Sequence, residues 1–195
     1  MKALPLITAF ACSLLSAHAT IYEYQAFLSG PNESPPNASP ATGIAEVDFD
    51  SVANTLMVDV SFSGLTGTTT ASHIHAPTAS PGTGTAGVAT TTPYFAGFPI
   101  GVTSGSYSNV LDLTQAPSYN PAFITANGGT TASAEVALTS AIAAGEAYLN
   151  IHSTTFPGGE ISGFLEPVPE PSSLALLALG GLALAARARA KRRVG

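Results

Sequence analysis

No lysine or arginine lies between Ala3 and Ala186 of this 195-residue chain. Lys2 stands at one end, and Arg187, Arg189, Lys191, Arg192 and Arg193 crowd the other. A body without these cations has no salt-bridge network to draw on, and its surface must be solvated by hydroxyls and by carboxylates. The single cysteine, Cys12, has no second cysteine to pair with, so no disulfide staples the body and an apolar core has to hold it together. Twelve Asp and Glu residues leave a net charge of −6. Phosphate backbones are bound through Lys and Arg that release counterions, so nucleic acid is excluded as a partner.

Both ends have the composition of export segments. Lys2, the apolar stretch Leu4 to Leu15 and the small-residue site Ala17-His18-Ala19 read as a secretory signal peptide over residues 1–19, cleaved before Thr20. At the other end, Pro169-Glu170-Pro171 precedes an apolar run from Leu174 to Ala186 and then the basic cluster. Thirteen residues rise only about 20 Å as a helix, short of the hydrocarbon core, and snorkelling arginines make up the difference. The basic flank favours the cytoplasmic side, which places the body outside the inner membrane.

The segment VPEPSSLALLALGGLALAARARAKRR resembles a PEP-CTERM sorting signal over residues 167–195. The resemblance implies a Gram-negative bacterium, an exosortase-like processing enzyme and an inner-membrane intermediate. It also implies final delivery to the cell surface or an exopolysaccharide matrix.

Residues 20–166 between these segments are long enough for one domain with a substantial core. Tyr22 to Ser29 reads as a first strand, followed by the proline-rich loop GPNESPPNASPA, which forbids a central strand. Ala45, Val47 and Phe49 then alternate with Glu46, Asp48 and Asp50, and Leu56, Val58, Val60 and Phe62 alternate with Met57, Asp59, Ser61 and Ser63. That is an antiparallel pair with one buried and one wet face. Solvation explains carboxylate pairs such as Asp48 and Asp50, or Glu46 and Asp48, on such a face, with a glycosidase pair or a calcium site as the alternative. Tyr107 to Leu113 repeats the style, and Ala134 to Ala143 predicts one short helix, with Val136, Leu138 and Ile142 near one side and Gly145 ending it. Ala147 to His152, the turn Phe156-Pro157-Gly158-Gly159, and Glu160 to Leu165 form a closing hairpin. Short strands at this spacing predict an all-β antiparallel sandwich.

After loss of His18, three histidines remain: His73 and His75 in ASHIHAP, and His152 in AYLNIHS. On a strand, His73 and His75 share a face about 7 Å apart. With His152 as a third imidazole, and Glu160 as an oxygen donor across the hairpin, they form a candidate copper or zinc site. The competing reading makes them structural, bonded to the backbone of the glycine-rich loop from Pro77 to Gly87.

Taken together, AFLSGPNESPP, GIAEVDF, LMVDVSFSGLTG, ASHIHAP and AGEAYLNIHSTTFPGGEISGFL resemble a CHRD (chordin) domain from Tyr24 to Leu165. The resemblance implies a secreted antiparallel β-sandwich, immunoglobulin-like or superoxide-dismutase-like in architecture. In animals such domains are associated with binding extracellular signalling proteins. The segment FSGLTGTTTASHIHAP is also similar in layout to the copper-ligand region of copper/zinc superoxide dismutases. That family uses more copper imidazoles than the three of the mature chain, together with a disulfide, and this acidic domain has no Arg or Lys to guide an anionic substrate.

The mature chain has no G-x-S-x-G elbow, no phosphate-binding loop and no cysteine nucleophile. The expected protein is therefore a non-enzymatic extracellular matrix or binding component, meeting exopolysaccharide or another extracellular protein. Its alternative is an extracellular copper- or zinc-binding, superoxide-dismutase-like protein using His73, His75 and His152.

Overall fold

Alternation of apolar and polar residues sets the first three strands. The computed structural model describes residues 21–168, in which β1 (Ile21–Ser29), β2 (Thr42–Asp50) and β3 (Thr55–Ser63) pair antiparallel, nine residues against nine. The remaining strands are β4 (Thr69–His75), β5 (Gly105–Asp112), β6 (Tyr148–Ser153), β7 (Ile161–Phe164) and β8 (Glu166–Pro167). They form one antiparallel path in the order β4-β6-β7-β1-β2-β3-β5, with β8 beside β1. The sheet curls around a single core, giving the expected all-β, sandwich-like architecture.

Register explains which residues meet inside. Ala26, Ala45, Val60 and Tyr107 form one cross-strand row, and Tyr24, Val47 and Val58 form the next. All of these are buried, while Glu46 and Ser108 in the row between them, and Met57 just beyond, face outward. Ile74 of β4, Leu149 and Ile151 of β6, and Ile161 of β7 are fully buried in the same core. Period two therefore sends Ala71, His73 and His75, and likewise Tyr148, Asn150 and His152, to the opposite face of the sheet. Loops roof that second face. On the outer side of β1–β3, burial and the neighbouring Glu23, Glu46 and Asp59 push the Asp48 carboxyl up.

The helical content differs from the sequence expectation. Two α-helices are present among the described residues, α1 (Pro121–Ala126) and α2 (Thr131–Ala143). Asn120 starts α1 by accepting from Ala122 N at 3.0 Å, with Pro121 in the first turn. Thr130 and Ser133 form a capping box on α2, which begins three residues before the expected Ala134. Val136 is 65% exposed rather than packed with Leu138, because two positions along a helix lie about 200° apart. The helix ends as expected. Gly145 takes φ +71°, and Glu146 N donates to Ala141 O while Gly145 N donates to Ile142 O, a Schellman closure.

Beyond Leu165 the chain still follows the sheet, since Tyr24 and Gln25 pair with β8 and Val168 N donates to Glu23 O. The signal peptide, the Pro169-Glu170-Pro171 motif, the apolar run and the basic cluster lie outside the described residues. Among the described residues, no helix is long and apolar enough to cross a membrane.

Candidate metal centre

Antiparallel pairing of β4 with β6 sets Ala71 opposite His152, His73 opposite Asn150 and His75 opposite Tyr148. His152 is thus the diagonal neighbour of His73, on the same face. The ring centroids of His73 and His75 are 4.7 Å apart, and those of His73 and His152 are 4.8 Å apart. One ligand atom from each of the three lies within 4.8 Å of the others. His75 is fixed from its other side by Tyr148, stacked at 4.7 Å with a 3° interplanar angle.

Each imidazole is also held at Nδ1. His73 Nδ1 meets Pro93 O at 3.1 Å, His75 Nδ1 meets Ala86 O at 2.8 Å, and His152 Nδ1 meets Pro157 O at 2.9 Å. A carbonyl oxygen only accepts, so each Nδ1 carries the proton and donates it. In neutral rings every Nε2 is then a bare lone pair. The Nε2 atoms of His73 and His152 face one another at 3.0 Å, and His75 Nε2 is buried without a partner. Burial, with neighbouring His75 and His152, pushes His73 down to about 3. Burial also lowers His75 and His152. Protonation near neutral pH is therefore not what reconciles the lone pairs.

A cation placed between the rings would reconcile them. Ring orientation by a backbone carbonyl at the far nitrogen is the usual outer support of a metal-ligating histidine. Bonds of about 2.0–2.1 Å in a tetrahedral shell put ligand nitrogens about 3.4 Å apart, so to suit copper or zinc the His73 and His152 nitrogens, at 3.0 Å, would part slightly while the third, within 4.8 Å, would move inward. The structural reading of the histidines is present as well, at the opposite nitrogen, for His75 bonds Ala86 in the glycine-rich loop.

Glu160 does not join the cluster. Its Oε1 accepts from Ser39 Oγ at 2.7 Å, Thr66 N at 2.6 Å and Thr66 Oγ1 at 2.9 Å, and Oε2 accepts from Gly67 N at 3.5 Å. It is a fully buried junction between the closing hairpin and two loops. Sequence reasoning also passed over Tyr148, Asn150 and Glu33. The signal for the first two was present, since Tyr148 and Asn150 share the face of His152 by period two. Glu33 carried no such signal, because it comes from the proline-rich loop after β1.

The model of the CHRD domain matches residues 24–165, and that of the PEP-CTERM protein-sorting motif matches residues 167–193. No curated protein and no solved structure matches the chain. A sorting motif of this kind implies export, processing by an exosortase-type enzyme, and a surface or extracellular destination.

Proposed function

Because the chain belongs to the CHRD family and ends in a PEP-CTERM sorting motif, we propose that it is a surface-sorted binding protein that holds a copper or zinc ion through His73, His75 and His152. The observation that carries this reading is the set of three Nδ1–H groups tied to carbonyls, with the bare Nε2 atoms of His73 and His152 facing one another at 3.0 Å and a ligand atom of His75 within 4.8 Å of theirs. The role is non-enzymatic. An acidic domain with no Lys or Arg in its body does not draw in anionic substrates, and it suits a matrix component that meets exopolysaccharide or an extracellular protein. Before processing, the apolar run and its basic flank hold the chain in the inner membrane of a Gram-negative cell, with the signal peptide already removed.

The test is elemental analysis of the exported protein beside His73→Ala. The wild type retains close to one equivalent of copper or zinc and the variant loses it. Equal metal content in both removes the site. Localisation in cells with and without the exosortase tests the sorting half of the reading independently.

A further inference from the structure

Next to the histidine cluster, between the Gly30–Asn32 turn and the β6–β7 hairpin, lies a cavity of about 200 Å³. His75 lines it, together with Glu33, Tyr148, Asn150, Ser162 and Phe164. Three buried atoms of these side chains have no hydrogen-bond partner: His75 Nε2, Glu33 Oε1 and Asn150 Oδ1. Glu33 and Asn150 are only 8% and 3% exposed, so water outside the protein does not satisfy them. His75 Nε2 is the lone pair assigned to the metal above, which leaves Asn150 Oδ1 and, once Glu33 is ionised above about pH 7, Glu33 Oε1 as acceptors for an occupant. Leaving buried acceptors unpaired is costly, and the matching occupant is one that donates hydrogen bonds.

The wall is closely built. Gly159, at φ +131°, lets the Glu33 and Asn150 side chains in, for a Cβ there would stand 2.6 Å from Glu33 Oε2 and from Asn150 Nδ2. Burial pushes the Glu33 carboxyl up to about 7, against the opposing hydrogen bonds from Ser162 and Asn150. A larger groove of about 700 Å³ shares Asn32, Glu33, Ser34, Gly84 and Phe164 with the cavity and forms its approach from the surface.

We propose that this cavity is the ligand chamber of the metal centre, reached at His75, and that it admits a small neutral hydrogen-bond donor, water in the first instance, while Glu33 and Asn150 turn anions away. The inference rests on the metal reading above. At about 30 Å³ per water, the chamber holds a few waters or one small organic molecule.

The experiment uses the exported protein loaded with Co(II), whose visible spectrum reports the metal's ligands. Imidazole serves as a neutral N–H donor and azide as an anion. In the wild type imidazole changes the spectrum and azide binds far more weakly. Measured above pH 7, where Glu33 is ionised, Glu33→Gln keeps cobalt and strengthens azide by about tenfold, the effect of removing one nearby carboxylate charge. Ser162→Phe fills much of the chamber and abolishes the imidazole response while cobalt stays bound. Identical azide affinity in wild type and Glu33→Gln overturns the proposal, and so does an imidazole response that survives in a folded, cobalt-bound Ser162→Phe. Should Ser162→Phe not fold, the Glu33→Gln comparison decides alone. Failure of the metal reading has its own signature: no cobalt spectrum in the wild type, or an unchanged one in His73→Ala.

Discussion

His73 and His152, 79 residues apart in sequence, bring their Nε2 atoms within 3.0 Å of each other. Their Nδ1 protons are committed to Pro93 O and Pro157 O. Two neutral imidazoles so arranged repel unless something positive lies between them. The β4–β6 register imposes the contact, and most of what the protein is expected to do follows from it.

Acid should unfold the protein through these rings. His73 is held at about 3 by burial and by its histidine neighbours, against an ordinary 6.5, and burial lowers His75 and His152 as well. The unfolded chain therefore takes up protons first. The stability of the neutral rings is complete above about pH 6.5 and is lost as pH falls toward 3. Glu33 works the other way. Its carboxyl is raised from 4.5 to about 7 by burial, so its contribution weakens as pH rises through that window. Thermal unfolding of the metal-free protein should show Tm falling on acidification below pH 6.5, more steeply in Glu33→Gln. A flat profile in both would contradict the buried neutral rings.

Glu160→Gln should cost about 3 kcal/mol in urea unfolding, because the new amide NH₂ opposes donors that now point at a carboxylate. Burial alone would raise this carboxyl, but hydrogen bonds from Ser153, Thr66 and Ser39 outweigh it and leave it lowered. Metal affinity of the folded variant should be unchanged, since Glu160 faces Ser39, Thr66 and Gly67 rather than the histidines. A large loss of metal binding would return Glu160 to the ligand set.

Much of this fold was legible from residue patterns. Ala45 and Val47, and Leu56 through Phe62, announced their inward face by strict alternation, and Gly145 marked the end of α2 through the one backbone conformation it readily supplies. His73 and His75 on one face followed from period two. What no local pattern carried was the strand order. That β6 lies beside β4, and β7 beside β1, is decided by pairings across long stretches of chain, and only those place His152 against His73. Glu160 looked like a ligand from its place in the hairpin, yet its loop partners Ser39, Thr66 and Gly67 come from distant segments. Val136 was misplaced because an apolar residue in an alanine-rich helix does not reveal which way it turns.

Gly145→Ala should lower stability by about 1 kcal/mol, since the new Cβ must adopt φ +71° at the helix end. Its nearest neighbour would be Pro81 Cβ at 3.6 Å, ordinary contact, so the cost is conformational rather than steric. Chemical denaturation should show a shifted midpoint with an unchanged slope. A neutral result would mean that the Schellman closure contributes little here.

X-ray absorption at the metal edge of the exported protein, loaded with copper or zinc, tests the central claim most directly. The account predicts three imidazole nitrogens at about 2.0–2.1 Å, with the imidazole scattering lost in His73→Ala. An all-oxygen shell, or an imidazole signal that His73→Ala leaves intact, would contradict it.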